Sequence, residues 1–222
     1  MVRPMLSIDG TDQLNNSDNK IPFPCIAQIK FDGFRCIIPN GIPMSRTLKP
    51  IPNMFVRNRL INLFGTHNDA DFHPKDHPLN GFDGELIALD PETFAEGSLH
   101  YSQSRLNRYT GFPRFVFHVF DDFTSPDQGY TTRKTNLDLR LKRIRNHVSQ
   151  AALERDPERI TKRIHDHVFQ IVESRICERI EDILEFEAEC LAWGAEGIIL
   201  RKMDAPYKFG RSTLNEFVSV KI

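Results

Sequence analysis

Between Cys25 and Lys30 the chain alternates: Cys25, Ala27 and Ile29 can face one way while Ile26, Gln28 and Lys30 face the other. A repeat of two marks a strand with two unlike faces. Asp32-Gly33, a dipeptide suited to tight turns, interrupts the alternation, and Phe34-Arg35-Cys36-Ile37-Ile38 resumes it. The pattern predicts a hairpin with Lys30 at a strand end, where a long cationic side chain can point into a cleft.

The same signal recurs downstream. A second Asp-Gly turn is expected at Asp83-Gly84, opening a strand through Glu85 and Leu89, and a third, phenylalanine-rich strand spans 114–123. Leu137, Leu141, Ile144 and Val148 have helical spacing, as do Ile180, Ile183, Leu184, Ala188, Leu191 and Ala192. Short strands are expected near Phe169, from Glu196 to Lys202 and at the end of the chain. Without regular βαβ alternation, this order predicts an α+β domain with twisted, largely antiparallel sheets flanked by helices. Residues 1–20 read as a polar lead-in, 21–222 as one domain, and 65–81 as a surface insertion.

Composition narrows the class. The 222 residues hold 40% hydrophobic side chains and 17 phenylalanines, enough for a sizeable core. A net charge of −1 provides no general polyanion affinity, so a nucleic acid would be held by a local patch. Residues 133–145 carry six cations and one acid, and the favoured expectation is a solvated helix face rather than a phosphate grip. Cys25, Cys36, Cys177 and Cys190 form no C-x-x-C pair, which disfavours a zinc ribbon and a disulfide framework. His73, His77, His165 and His167 lie in charged, irregular stretches and read as surface histidines. With no apolar run near 18 residues and no signal peptide, the expectation is a soluble intracellular, cytoplasmic protein, monomeric by default.

Six blocks occur in a telling order: Lys30-Phe31-Asp32-Gly33-Phe34-Arg35, Ser45-Arg46, Asp83-Gly84-Glu85, Phe117-His118-Val119-Phe120-Asp121, Glu196-Gly197-Ile198-Ile199-Leu200-Arg201 and Lys221. The series resembles the nucleotidyltransferase motifs of the ATP-dependent DNA ligases, with a texture like the small phage or bacterial enzymes, over about residues 25–222. The resemblance implies an ATP-grasp-like adenylation domain acting on nicked double-stranded DNA, with ATP and Mg²⁺ as cofactors.

It also implies roles. Lys30 takes AMP as a phosphoramidate, and its amine must be neutral to attack. A free lysine has a pKa of about 10.4, so operation near pH 7 requires a fall of roughly three units. Desolvation by Ile29 and Phe31, and the positive charge of Arg35, Lys221 and a metal ion, would act in that direction. Gln28 and the Ile29 backbone read the adenine edge. Arg35 contacts ribose or phosphate, Glu85 accepts from a ribose hydroxyl, and Phe120 stacks on the base. Glu196 is the metal residue. Lys221, with Arg201 as the lesser candidate, holds the α-phosphate, and Arg46 binds phosphate or the nick.

Two departures from the family pattern stand out. Gln28 occupies a place where many relatives carry Glu. The last motif usually holds two lysines separated by one residue, whereas here Ile222 follows Lys221, and the expectation is an isolated adenylation domain, natural or truncated, without the OB-fold domain of relatives. The alternatives are an RNA ligase, a capping-type nucleotidyltransferase or a nucleotide-binding module without catalysis. An NAD-dependent ligase is disfavoured by the short lead-in.

Overall fold

The computed structural model describes residues 2–14, 20–62, 73–155, 168–217 and 219–222. Contacts gather these residues into two compact units. Unit 1 comprises Met1–Asp32, Ser125–Lys134 and Val172–Ile222; unit 2 comprises Gly33–Thr124 and Thr135–Ile171.

Unit 1 is built on strands β2 (Ile8–Asp9), β3 (Cys25–Lys30), β8 (Ser174–Cys177), β9 (Gly197–Lys202) and β11 (Val220–Lys221), in the order β2-β11-β9-β3-β8. β3 lies between β8 and β9, antiparallel to both, with Cys25 opposite Lys202 and Lys30 opposite Gly197. β1 (Met5–Leu6) pairs separately with β10 (Gly210–Arg211). Helix α4 (Ile180–Ala192) sends Ile183, Phe186 and Cys190 into a core with Cys25, Ala27, Ile198, Leu200 and Val220. Its first turn is fixed by Asp182, whose carboxylate accepts from the backbone N–H groups of Glu178 and Arg179.

Unit 2 holds a four-stranded sheet, β4 (Phe34–Ile37), β5 (Phe82–Ala88), β6 (Phe115–Asp122) and β7 (Phe169–Ile171), antiparallel except where β7 joins β6. Helices α1 (Met54–Ile61) and α2 (Leu99–Leu106) start on capping side chains: Asn53 accepts from Val56 N–H and Ser98 from Tyr101 N–H. Helix α3 (Tyr130–Arg155) begins in unit 1, and its later part gives Leu137, Leu141 and Ile144 to the unit 2 core. That core also takes Cys36, Phe82, Leu86, Phe117 and Val119, the alternate residues of three strands.

Several expectations are corrected. Asp32-Gly33 makes no hairpin, because β3 and β4 pair in different sheets. Asp83-Gly84 lies inside β5. Glycine is required there by close approach, since a Cβ on Gly84 would stand 2.2 Å from the His118 carbonyl oxygen. The expected lead-in supplies β1 and β2, and their partners lie more than 200 residues away in sequence. On α4, Leu184, Ala188, Leu191 and Ala192 face solvent, because the buried row is 183, 186 and 190. His77 is buried rather than on the surface: its Nδ1 accepts from Leu79 N–H and its Nε2 lies 3.0 Å from the Ile61 carbonyl oxygen. His165 and His167 lie outside the described residues.

The basic stretch 133–145 is not a solvated face throughout. Arg133 is buried, Arg140 pairs with Asp122, and Arg145 donates to the Phe169 carbonyl at 2.7 Å, leaving Lys142 and Arg143 exposed.

Candidate functional site

The pleat of the unit 1 sheet sorts its side chains. Cys25, Ala27, Ile198, Leu200 and Val220 face the core, so the residues between them share the other face. Gln28 and Lys221 both lie opposite Ile199 in register, Arg201 lies opposite Ile26, and Lys30 ends the row opposite Gly197. Five expected residues, Gln28, Lys30, Glu196, Arg201 and Lys221, therefore belong to this one sheet or its margin. Ile29 packs with the core, leaving its backbone as the relevant group.

Lys30 is 21% exposed, and its ammonium pairs with Glu196, which is 46% exposed. Glu196 is held in place by its own backbone, whose N–H donates to the Lys30 carbonyl at 3.0 Å. Gly197 follows with φ +148°, and a Cβ there would come within 2.5 Å of the Ile222 carbonyl oxygen, so no other residue fits between Glu196 and the sheet. Lys221 pairs with Asp9 at 2.9 Å. Asp9 is pulled down to about 2 by the Lys221 ammonium and by the N–H and hydroxyl of Thr11. The expectation of cations crowding Lys30 is thus corrected within unit 1: the charge in contact with its amine is a carboxylate, and Lys221 is engaged elsewhere.

The other end of the same row is covered. Gln28 is 1% exposed and donates from Nε2 to the Tyr130 hydroxyl at 2.9 Å. Arg201 is equally buried, its guanidinium 4.5 Å from the centre of the Tyr130 ring. Arg201 therefore stacks within unit 1; the sequence made it the lesser candidate, after Lys221, for the α-phosphate. Tyr130 itself was missed by sequence reasoning; as the first residue of a helix after a Gly it carried no motif signal.

Unit 2 places Arg35, Glu85 and Phe120 on the face of its sheet opposite the core. Arg35 and Glu85 are direct cross-strand neighbours, and Glu85 lies opposite His118. The register shifts between Asp83 and Gly84, leaving Phe120 as the additional residue of a bulge. The Arg35 guanidinium lies 4.4 Å from the Phe120 ring centre and donates through Nε and Nη2 to the two carboxylate oxygens of buried Asp83, at 2.7 and 2.8 Å. A planar fork on a carboxylate with a ring alongside is a rigid arrangement. Asp83 was quoted in the sequence block without a role, and its role is to orient Arg35. His118 is also on this face, its Nε2 2.8 Å from Glu96 Oε1. Arg46 stands apart on an exposed turn closed by Ser45 N–H to the Lys49 carbonyl at 2.8 Å.

Among the described residues no three His, Cys, Asp or Glu side chains form a metal cage. A single carboxylate such as Glu196 suits Mg²⁺, which takes one or two carboxylates together with phosphate oxygens.

Comparison with known proteins bears on the family and the fold. The family described as ATP dependent DNA ligase domain matches residues 4–216. A probable DNA ligase of Dictyoglomus thermophilum is 26% identical over 193 residues, covering 86% of this chain and 30% of its own length. The chain therefore spans about a third of the length of such curated relatives. Among solved structures, Chlorella virus DNA ligase-adenylate aligns over 100% of this chain and 67% of its own, with a TM-score of 0.71 and 26% identity. The ATP-dependent DNA ligase of bacteriophage T7 in complex with ATP shares the fold, with a TM-score of 0.54 at 16% identity over 99% of this chain and 68% of its own. With the family match running through nearly all of its length, the chain belongs to the ATP-dependent DNA ligase domain family.

Proposed function

We propose that this chain is the adenylation domain of an ATP-dependent DNA ligase, active inside the cell as a monomer, that charges Lys30 with AMP and passes it to the 5′-phosphate of nicked duplex DNA. The observation that supports this most directly is the sheet face that Lys30 shares with Lys221, with Glu196 at its margin paired to the Lys30 ammonium. In the first step the Lys30 amine parts from Glu196, gives its proton to solvent water and attacks the α-phosphorus of ATP. A P–N bond forms, the bond to pyrophosphate breaks, and the electron pair leaves with pyrophosphate. Lys221, released from Asp9, stabilises charge on the transferring phosphoryl group. Glu196 would hold Mg²⁺ with triphosphate oxygens, the ion supplying positive charge to the leaving group.

Arg35, fixed by Asp83, offers its guanidinium to ribose or phosphate. Glu85 accepts from a ribose hydroxyl, and Phe120 offers a ring face to the base. Gln28 and the Ile29 backbone read the base edge, and Arg46 meets phosphate or the nick. The AMP then moves to the 5′-phosphate, and attack by the 3′-hydroxyl seals the nick with AMP released.

Incubation with ATP and Mg²⁺ followed by intact mass measurement tests the first step. The expected result is one added AMP, abolished in Lys30→Ala. A wild-type protein that binds ATP yet gains no mass at high concentration overturns the proposal.

A further inference from the structure

We infer that the loop of residues 107–112, with the adjoining side of helix α1, is a surface of unit 2 that grips the phosphate backbone of duplex DNA. The inference rests on the reading above, in which nicked DNA is the substrate. A net charge of −1 supplies no general attraction for a polyanion, so binding requires a region where the charge is one-sided. The basic stretch 133–145 does not provide it, because Arg133, Arg140 and Arg145 are tied to other groups. Residues 44–62 carry four cations and residues 98–114 carry three, and neither stretch contains an acid.

The fold brings these two stretches together. Buried Asn53 donates from Nδ2 to the carbonyls of Arg108 and Thr110, at 3.0 and 3.3 Å, and its backbone N–H donates to the Leu106 carbonyl. Met54 N–H adds a bond to the Tyr109 carbonyl at 3.0 Å, and the Phe55 and Phe112 rings meet edge to face with centres 5.3 Å apart. The loop is therefore fixed through its backbone, yet all of 107–112 is exposed, Tyr109 to 63% and Phe112 to 83%. Rings held that far out contribute little to a core. Arg108 precedes them, and Arg59 lies one helical turn beyond Phe55 on the same side of α1. Among the described residues neither arginine has an acid within ion-pair distance. Such guanidinium groups can each neutralise a phosphate, while the rings pack against sugar or base and the tyrosine hydroxyl donates to phosphate oxygen. The lack of any acid favours a uniformly anionic partner over a protein surface of mixed charge.

The test follows the fluorescence anisotropy of a labelled nicked duplex against the full chain through a salt series. Intact mass after ATP and Mg²⁺ reads AMP charging, and a thermal melt checks each fold. Wild type is expected to bind at low salt and to weaken steeply as salt rises. Arg59→Ala/Arg108→Ala is expected to bind roughly tenfold more weakly at low salt. Its slope of log affinity against log salt should be shallower by about two, since each phosphate contact contributes about 0.9. Phe112→Ala is expected to lose affinity with the slope kept, because a ring releases no counterion. Lys142→Ala/Arg143→Ala removes the same charge from exposed positions of α3 and is expected to bind nearly as wild type does. All of these proteins are expected to charge with AMP alike. Equal loss in both double variants reports overall charge and overturns the inference. Unchanged binding in Arg59→Ala/Arg108→Ala, or a folded wild type that does not bind DNA at low salt, also overturns it and leaves the surface to a protein partner. A wild type that shows these DNA effects yet gains no AMP overturns the charging step proposed above and leaves this surface standing.

Discussion

At the scale of single residues, cations are held by acids: Lys30 by Glu196, Lys221 by Asp9 and Arg35 by Asp83. The Asp9 pair makes a pH prediction. Its carboxyl is lowered to about 2 in the folded chain, below the ordinary value of about 3.9 for aspartate. The stability it contributes is fully present above about pH 4 and is lost as pH falls towards 2. In thermal melts, wild type is expected to melt above Asp9→Asn at pH 6, with the gap closing between about pH 4 and pH 2. A gap that stays constant across that range would show that the pair contributes no titratable stability. The identities of these residues were legible in the sequence because residue type and order carry them. Their partners were not, because Asp9 meets Lys221 only through the pairing of strands at opposite ends of the chain.

At the scale of elements, β3 was legible because its two faces meet unlike surroundings, and α3 because Leu137, Leu141 and Ile144 line a single stripe. The two Asp-Gly sites show where local reading stops. Asp32-Gly33 passes the chain from one sheet to another, and Gly84 is set by the approach of β6 rather than by a turn. Gly84→Ala is accordingly expected to destabilise the fold by about 1–3 kcal/mol, the usual cost of overpacking. The added carbon would stand against backbone at His118, which cannot swing aside as a side chain could. Denaturant unfolding with an unchanged midpoint would refute this. Helices α1 and α2 went unread because eight residues are too few to display a stripe, and their starts depend on caps at Asn53 and Ser98. The apolar row on α4 was read correctly as helical but assigned to the wrong side, since Phe186 and Cys190 complete the buried row with Ile183.

For the molecule as a whole, the four cysteines provide a simple probe. All are buried. Burial pushes the Cys25 thiol up to about 12 and Cys190 to about 11, and it raises Cys36 and Cys177 as well. A raised thiol holds almost no thiolate at pH 8, and thiolate is the reactive form. A disulfide reagent is expected to find no fast-reacting thiol in the native protein and four after denaturation; a fast native phase would contradict the packing of these sites. Core composition made a folded chain legible, but not its division into two units, since each unit draws on separated stretches of sequence. That interleaving has a consequence for synthesis. Met5 meets Gly210 and Ile8 meets Val220, so these pairings join stretches very distant in sequence, and such contacts form slowly. On the ribosome the sheet that carries Lys30 must wait for its final strands, and the lysine cannot gain its complete surroundings until translation of these 222 residues is nearly finished.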